Sequence, residues 1–214
     1  AACKATLKVA DGQEITLHEQ TNYPFEEKIS FTVNTTEDVR FPFYLRIPSW
    51  CDQPELAING KQKEIDPIPG KYIYIDRTWT DGDKVELNLP MKLSIRTWQV
   101  NKNSVSVNYG PLTLSLKINE EYIQKDSRST AIYDSRWQEG ADATQWPSYE
   151  IFPKSPWNYA LVLDSKVPLK NFKVIRKEWP SDNFPFTVSN VPLEVKAIGK
   201  QIPSWTLDKY GLCS

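Results

Sequence analysis

The stretch Phe41-Pro42-Phe43-Tyr44-Leu45-Arg46-Ile47-Pro48-Ser49-Trp50 constrains the fold more than any other part of the chain. Phe43, Leu45 and Ile47 recur at every second position, with Tyr44 and Arg46 between them. Successive side chains on an extended strand point to opposite faces, so this reads as a strand with one apolar and one polar face. Proline closes it at both ends. Runs of the same kind lie on either side, which makes them its neighbours in a sheet.

Ala5–Val9 and Glu14–Thr21 alternate around Asp11-Gly12 and predict a hairpin. Tyr23-Pro24-Phe25 is a stiff aromatic corner, because Pro24 fixes its own φ and keeps Tyr23 extended. Lys28–Val33 alternates again, and Asn34-Thr35-Thr36 reads as a loop that is formally a glycosylation acceptor. Asn59-Gly60, set between short apolar runs, predicts a type I′ turn. Lys71–Arg77, Lys84–Leu89, Leu93–Arg96, Val105–Tyr109 and Leu112–Leu116 complete a set of short strands separated by turn signals. That spacing is the signature of an antiparallel β-sandwich.

The pattern changes near Glu120. From there to Trp146 the chain is polar and its periodicity is poor, which reads as an elaborated connection with a short helix. Trp157–Leu163, Phe172–Ile175 and Leu193–Ile198 restore strand character. The expected fold is therefore all-β: an antiparallel sandwich over 1–118, then an irregular connection and a second, incomplete β-rich unit over 119–214.

Composition narrows the function. The 26 basic and 27 acidic residues leave a net charge of −1, with no basic excess for nucleic acid or an anionic membrane. The longest apolar runs are only a few residues, too short for a transmembrane helix, and no signal peptide is visible. The chain opens at Ala1-Ala2-Cys3, has Met91 as its only methionine and stops at Leu212-Cys213-Ser214. It reads as a mature chain or, in preference, a piece of a longer protein. Cys3, Cys51 and Cys213 are too few and too widely spaced for a disulfide framework or a zinc site, so three unpaired thiols are expected, with one disulfide and one free thiol as the alternative. His18, the only histidine, falls on the face opposite Ile15 and Leu17, an exposed position.

The adjacent carboxylates Glu26-Glu27, Glu37-Asp38 and Glu120-Glu121 lie at loop-like positions. Neighbouring strand residues face opposite ways, so they read as solvated surface groups rather than a hydrolytic pair. Eight tryptophans are more informative. Trp50, Trp79 and Trp98 follow or end strands of the first unit, at its core edge or a docking surface. Trp137, Trp146 and Trp157 sit in or beside the irregular connection, where binding residues tend to collect. They are the carbohydrate-contact candidates. Arg136 joins them as a donor or stacking partner, although it serves equally as a surface salt-bridge residue.

Several stretches taken together resemble a known family. They are Thr21–Phe25, Phe43–Cys51, Ile58–Lys61, Gly70-Lys71-Tyr72, Arg77-Thr78-Trp79, Gly82-Asp83, Leu87–Met91, Tyr109–Leu112, Ser155–Leu161 and Ile202–Trp205. Their order and spacing resemble the C-terminal β region of β-L-arabinofuranosidase-type glycoside hydrolases, family one hundred and twenty-seven, a bacterial group long catalogued as a domain of unknown function. The resemblance implies an N-terminal helical barrel with a cysteine nucleophile at a zinc site built from further cysteines and a glutamate. The Cys-Cys pair of that site has no counterpart here, so no catalytic or metal residue carries over and this chain needs no cofactor. The resemblance thus implies a non-catalytic accessory region. Its expected partners are its own catalytic domain, a second copy in a homodimer, or a plant-type glycan, without nucleic acid or membrane. Its expected location, by analogy, is periplasmic or secreted, with the cytoplasm as the alternative. Two alternatives stand beside it: a stand-alone carbohydrate-binding module, favoured by a planar row of exposed aromatics, and a structural sandwich, favoured by a fully polar surface.

Overall fold

The structure is a computed structural model that describes residues 2–131 and 136–208. It is almost entirely β, with several antiparallel sheets. The first unit holds the chain up to Leu114 together with Val174–Pro185 and Asn190–Val195. The second holds Ser115–Lys173, Phe186–Ser189 and the residues from Lys196. Both returning segments fall within 119–214, the stretch expected to form the second unit.

The strands up to Leu114 are β1 (Cys3–Lys8), β2 (Glu14–Thr21), β3 (Lys28–Thr35), β4 (Val39–Arg46), β5 (Glu55–Ile58), β6 (Lys61–Lys63), β7 (Tyr72–Trp79), β8 (Lys84–Asn88), β9 (Leu93–Trp98), β10 (Ser104–Tyr109) and β11 (Leu112–Leu114). One sheet runs in the order β1-β2-β3-β8-β5-β6. β4 pairs with β7, and β10 lies between β9 and β11. The six-stranded sheet and the β4–β7 pair share one core, which is the sandwich that the alternation predicts. Ile15, Val33, Leu56, Val85 and Leu87 come from the first, and Val39, Phe41, Leu45 and Trp79 from the second. Each such aliphatic or Phe side chain contributes about 1.5–3 kcal/mol on burial.

Trp79 sits inside this core rather than at its edge. Its relative exposure is 0%. Its ring lies 5.6 Å from Phe41 and 5.9 Å from Phe43, and its Nε1 donates to the Phe41 carbonyl at 2.9 Å. Strand parity puts it there, since Ile73, Ile75, Arg77 and Trp79 share one face of β7.

The Asn59-Gly60 turn joins β5 to β6 with φ of 51° and 75°, the positive values that a type I′ turn needs. Its Asn59 side chain also donates to Asp83 at 2.6 Å and accepts from the Lys84 amide at 2.8 Å. Asn34, expected in a loop, lies within β3, where its amide donates to Asp81.

A second cluster draws the late segments back into the first unit. Phe25, Met91, Tyr109 and Leu193 are buried together, with Val174, Trp179 and Val191 packed against them. Gly110 makes room for it: a Cβ there would fall 2.5 Å from Cγ of Met91, and its φ of +54° disfavours any side chain. Arg176 clamps the same corner. It donates to the Phe25 carbonyl at 3.2 Å, to Glu27 at 3.3 Å and to the Tyr109 hydroxyl at 3.0 Å. Its side chain is half exposed, so Arg176→Ala is expected to cost only about 1 kcal/mol. Limited proteolysis should register the loss first, as faster cleavage within 174–185; unchanged cleavage would show that the apolar contacts suffice.

The remaining elements are β12 (Glu120–Lys125), helix α1 (Ser127–Thr130), β13 (Ser148–Pro153), β14 (Tyr159–Leu161), β15 (Lys173–Arg176), β16 (Leu193–Lys196) and β17 (Gly199–Gln201). β12 pairs with β13, β14 with β17 and β15 with β16. Among the described residues, the expected connection from Glu120 to Trp146 thus holds a strand and one helical turn. Asp126 caps that turn by accepting from the Arg128 amide.

Candidate functional site

The outward face of β4 and β7 carries the most distinctive surface of the first unit. The two strands pair with Tyr44 opposite Tyr74, Arg46 opposite Tyr72, Pro42 opposite Asp76 and Arg40 opposite Thr78. Alternation explains why these side chains share a face. Phe41, Phe43 and Leu45 point into the core with Ile73 and Ile75, so their neighbours in sequence must point out. Tyr44 is 58% exposed, and Tyr72 and Tyr74 are each 65% exposed. The Tyr44 and Tyr74 ring centroids lie 5.8 Å apart, with planes 25° from parallel.

Charged groups flank the rings. Arg40 grips Asp76 with two hydrogen bonds, Nε to Oδ1 at 3.2 Å and Nη2 to Oδ2 at 3.0 Å. That hydrogen-bonded guanidinium holds the Asp76 carboxyl below its usual range. Arg46 is exposed beside Tyr72, and among the described residues no carboxylate pairs with it. The face therefore offers ring surfaces, phenolic hydroxyls and one uncommitted guanidinium. Alternation in Phe41–Trp50 places Tyr44 and Arg46 outward, and Tyr72 and Tyr74 join them from β7. The parity of Lys71-Tyr72-Ile73-Tyr74-Ile75 is the signal that finds them.

The tryptophan candidates lie in the second unit. Trp146 is 69% exposed. Its carbonyl accepts from the Ser127 hydroxyl. Trp137 and Trp157 are half-buried, and Arg136 is exposed. Among the described residues no ring contact joins these three tryptophans. Trp98, on β9, is 39% exposed, but the Arg96 guanidinium lies 3.7 Å over its ring and takes one face.

The thiols are the reverse of activated nucleophiles. Cys3 is free and donates to Glu19 Oε2 at 3.4 Å, and that carboxylate raises its pKa above the ordinary value. Cys51 is free and buried, and burial pushes its thiol up. A thiolate needs the opposite surroundings. Cys213 lies outside the described residues. Among the described residues no three His, Cys, Asp or Glu side chains gather as metal ligands, and the Cys3–Glu19 pair alone does not fit a zinc–cysteine site.

Three of the six adjacent carboxylates are engaged elsewhere. Glu27 accepts from the Met91 amide and from Arg176, Glu120 accepts from Tyr122, and Glu121 pairs with Lys154. His18 is exposed.

The sequence that builds the tyrosine face has a recognisable relative. Residues 1–91 match the GH127 middle domain. The matched family model is described as beta-L-arabinofuranosidase, GH127 middle domain. This middle-domain match contains Tyr44, Tyr72, Tyr74 and Trp79 and stops at Met91, leaving Trp98, Trp137, Trp146 and Trp157 outside it. The resemblance read from sequence implied the family's C-terminal β region for nearly the whole chain; the match is to the middle domain and covers less than half of it.

Solved structures similar to the chain include a glycoside hydrolase at 30% identity and TM-score 0.49, over 52% of this chain and 19% of that one. A GH127 beta-L-arabinofuranosidase from Geobacillus stearothermophilus T6 aligns at 22% identity and TM-score 0.48, over 70% of this chain and 28% of that one. A further GH127 beta-arabinofuranosidase aligns at 22% identity and TM-score 0.47, over 77% and 28%. The chain spans less than a third of each. No curated protein sequence matches it.

Proposed function

We propose that this chain is a non-catalytic accessory β region of a glycoside hydrolase whose activity resembles that of β-L-arabinofuranosidases. The match of residues 1–91 to the GH127 middle domain carries the proposal. The chemistry of the site supports it. Both described thiols have raised pKa values, and Glu27, Glu120 and Glu121 among the neighbouring carboxylates are held in hydrogen bonds or ion pairs. A chain of this kind braces a catalytic domain or shapes one side of its cleft, and hydrolysis and any zinc chemistry belong to that domain.

The test is an assay on the full-length protein that contains this sequence, beside the 214-residue chain alone, with a chromogenic β-L-arabinofuranoside. We expect release of the chromophore by the full-length protein and none by the chain. An inactive full-length protein across a panel of glycosides would overturn the parent activity. Hydrolysis by the chain alone would overturn the accessory role.

A further inference from the structure

The geometry points to the outward face of β4 and β7 as a saccharide-contact platform, with Tyr44 and Tyr74 as the stacking surface and Arg46 as the group that favours a carboxylate-bearing sugar. The choice of a saccharide rests on the reading of the chain as part of a glycoside hydrolase; the rest of the inference rests on the face itself.

A sugar ring presents axial C–H bonds on one side and hydroxyls around its rim. Its C–H side meets the negative face of an aromatic ring, while its rim needs hydrogen-bond partners. Both are here together. Tyr44 and Tyr74 stack on one another with planes 25° from parallel, so the pair offers its outer ring face, and Tyr72 is a third exposed ring on the same strand face. Tyrosine has few rotatable bonds, so ordering it on a ligand costs little entropy. The rim donors and acceptors are the phenolic hydroxyls, Arg46 and the Arg40–Asp76 pair.

Charge selects among saccharides. On this face Arg40 is neutralised by Asp76, and no carboxylate among the described residues pairs with Arg46. The face carries one net positive charge, which complements a uronate carboxylate, and a guanidinium meets a carboxylate with two parallel hydrogen bonds. The bland alternative is that Tyr44–Tyr74 is only a cross-strand pair that steadies a two-stranded sheet. Arg46 opposite Tyr72 is the next such pair, so what that role leaves unexplained is the exposure of all three rings beside a guanidinium that no described carboxylate pairs with.

Calorimetric titration of the chain with an oligogalacturonide and with its fully methyl-esterified, uncharged counterpart tests this. We expect both to bind and the charged one to bind more tightly. Replacing Tyr44→Thr with Tyr74→Thr should weaken both about tenfold or more, roughly the loss of one good contact. Arg46→Gln should remove the difference between the two ligands. Threonine is a good strand former, so the thermal midpoint should change little and the loss can be read as binding. Failure of both ligands to bind, or binding that ignores the tyrosine change, would overturn the platform. So would a shift in oligomeric state in the double variant, which would make the face an interface between copies. Preference for the neutral ligand would overturn the role of Arg46. If the full-length protein is an active glycosidase and the chain binds neither ligand, the platform is wrong and the accessory reading stands. If the chain binds but the full-length protein hydrolyses no glycoside, the reverse holds.

Discussion

Replacing Trp79 with alanine will destabilise the first unit by about 3–5 kcal/mol, the range for emptying a large aromatic site in a packed core. The position concentrates three losses. The side chain is wholly buried, so the cavity has no solvent route by which to fill. Its ring contacts with Phe41 and Phe43 vanish. The Phe41 carbonyl also loses the indole donor at 2.9 Å, and an orphaned buried acceptor costs about 1–3 kcal/mol. Domains of this kind are stable by only about 5–15 kcal/mol, so the variant sits close to unfolding. Trp79→Phe separates the parts. It keeps most of the ring packing but not the donor, and should cost about 1–3 kcal/mol. Urea denaturation of the three proteins checks both values. Equal losses for Ala and Phe would mean that the hydrogen bond, not the cavity, dominates. The effect should reach the tyrosine face as well, because Phe41, Phe43 and Trp79 underlie the strands that display Tyr44 and Tyr74.

Trp79 also shows how far a sequence can be read. The β4 strand was legible because its apolar residues keep strict parity and proline marks its ends. The same parity in β7 places Trp79 inward, yet Arg77 interrupts the apolar series and makes Trp79 look like a boundary residue. The structure resolves this. Arg77 points inward with its neighbours but reaches the Asp83 carboxylate at 3.2 Å and lies over the Trp79 ring at 5.0 Å. A half-buried charge with a partner hides the inward side of a strand's end from a hydrophobicity pattern. The Asn-Gly turn, by contrast, was readable because backbone sterics alone dictate it.

The second half was harder for a different reason. β12 reads Glu-Glu-Tyr-Ile-Gln-Lys, with little alternation, and is a strand because it pairs with Ser148–Pro153 across a long connection. The return of Val174–Pro185 and Asn190–Val195 to the first unit depends on Phe25, Met91 and Tyr109, far away in sequence. Periodicity reports local faces and is silent on long-range partners. The candidate site divides the same way. The outward tyrosines follow from parity, whereas a place in or beside a loop, the signal for Trp137, Trp146 and Trp157, says nothing about which rings share a face.

Asp83 should be an acid-sensitive point of the first unit. It is 5% exposed and accepts from Asn59 at 2.6 Å and from the Thr80 amide at 3.0 Å, with Arg77 beside it. Burial pushes its carboxyl up, but the hydrogen bonds from Asn59 and Thr80 and the charge of Arg77 outweigh that and hold it below the ordinary value. A carboxyl depressed in the folded state stabilises the fold fully above its unfolded value. That contribution fades as pH falls through the folded one. The contribution should therefore be complete at neutral pH and begin to fall near about pH 4, where a free aspartate titrates. Asp83→Ala removes the acceptor for two donors and the counter-charge for Arg77, and should cost about 2–4 kcal/mol at pH 7. Asp83→Asn keeps the shape and one acceptor but cannot ionise. Its stability gap from the parent should be present at pH 7 and narrow steadily as the pH is lowered below about 4. Urea midpoints of the two proteins from pH 7 to pH 3 decide the matter. A gap that stays constant with pH would place the cost in lost hydrogen-bond geometry rather than in charge, and would mean that Arg77 and Asp83 gain nothing from each other beyond position.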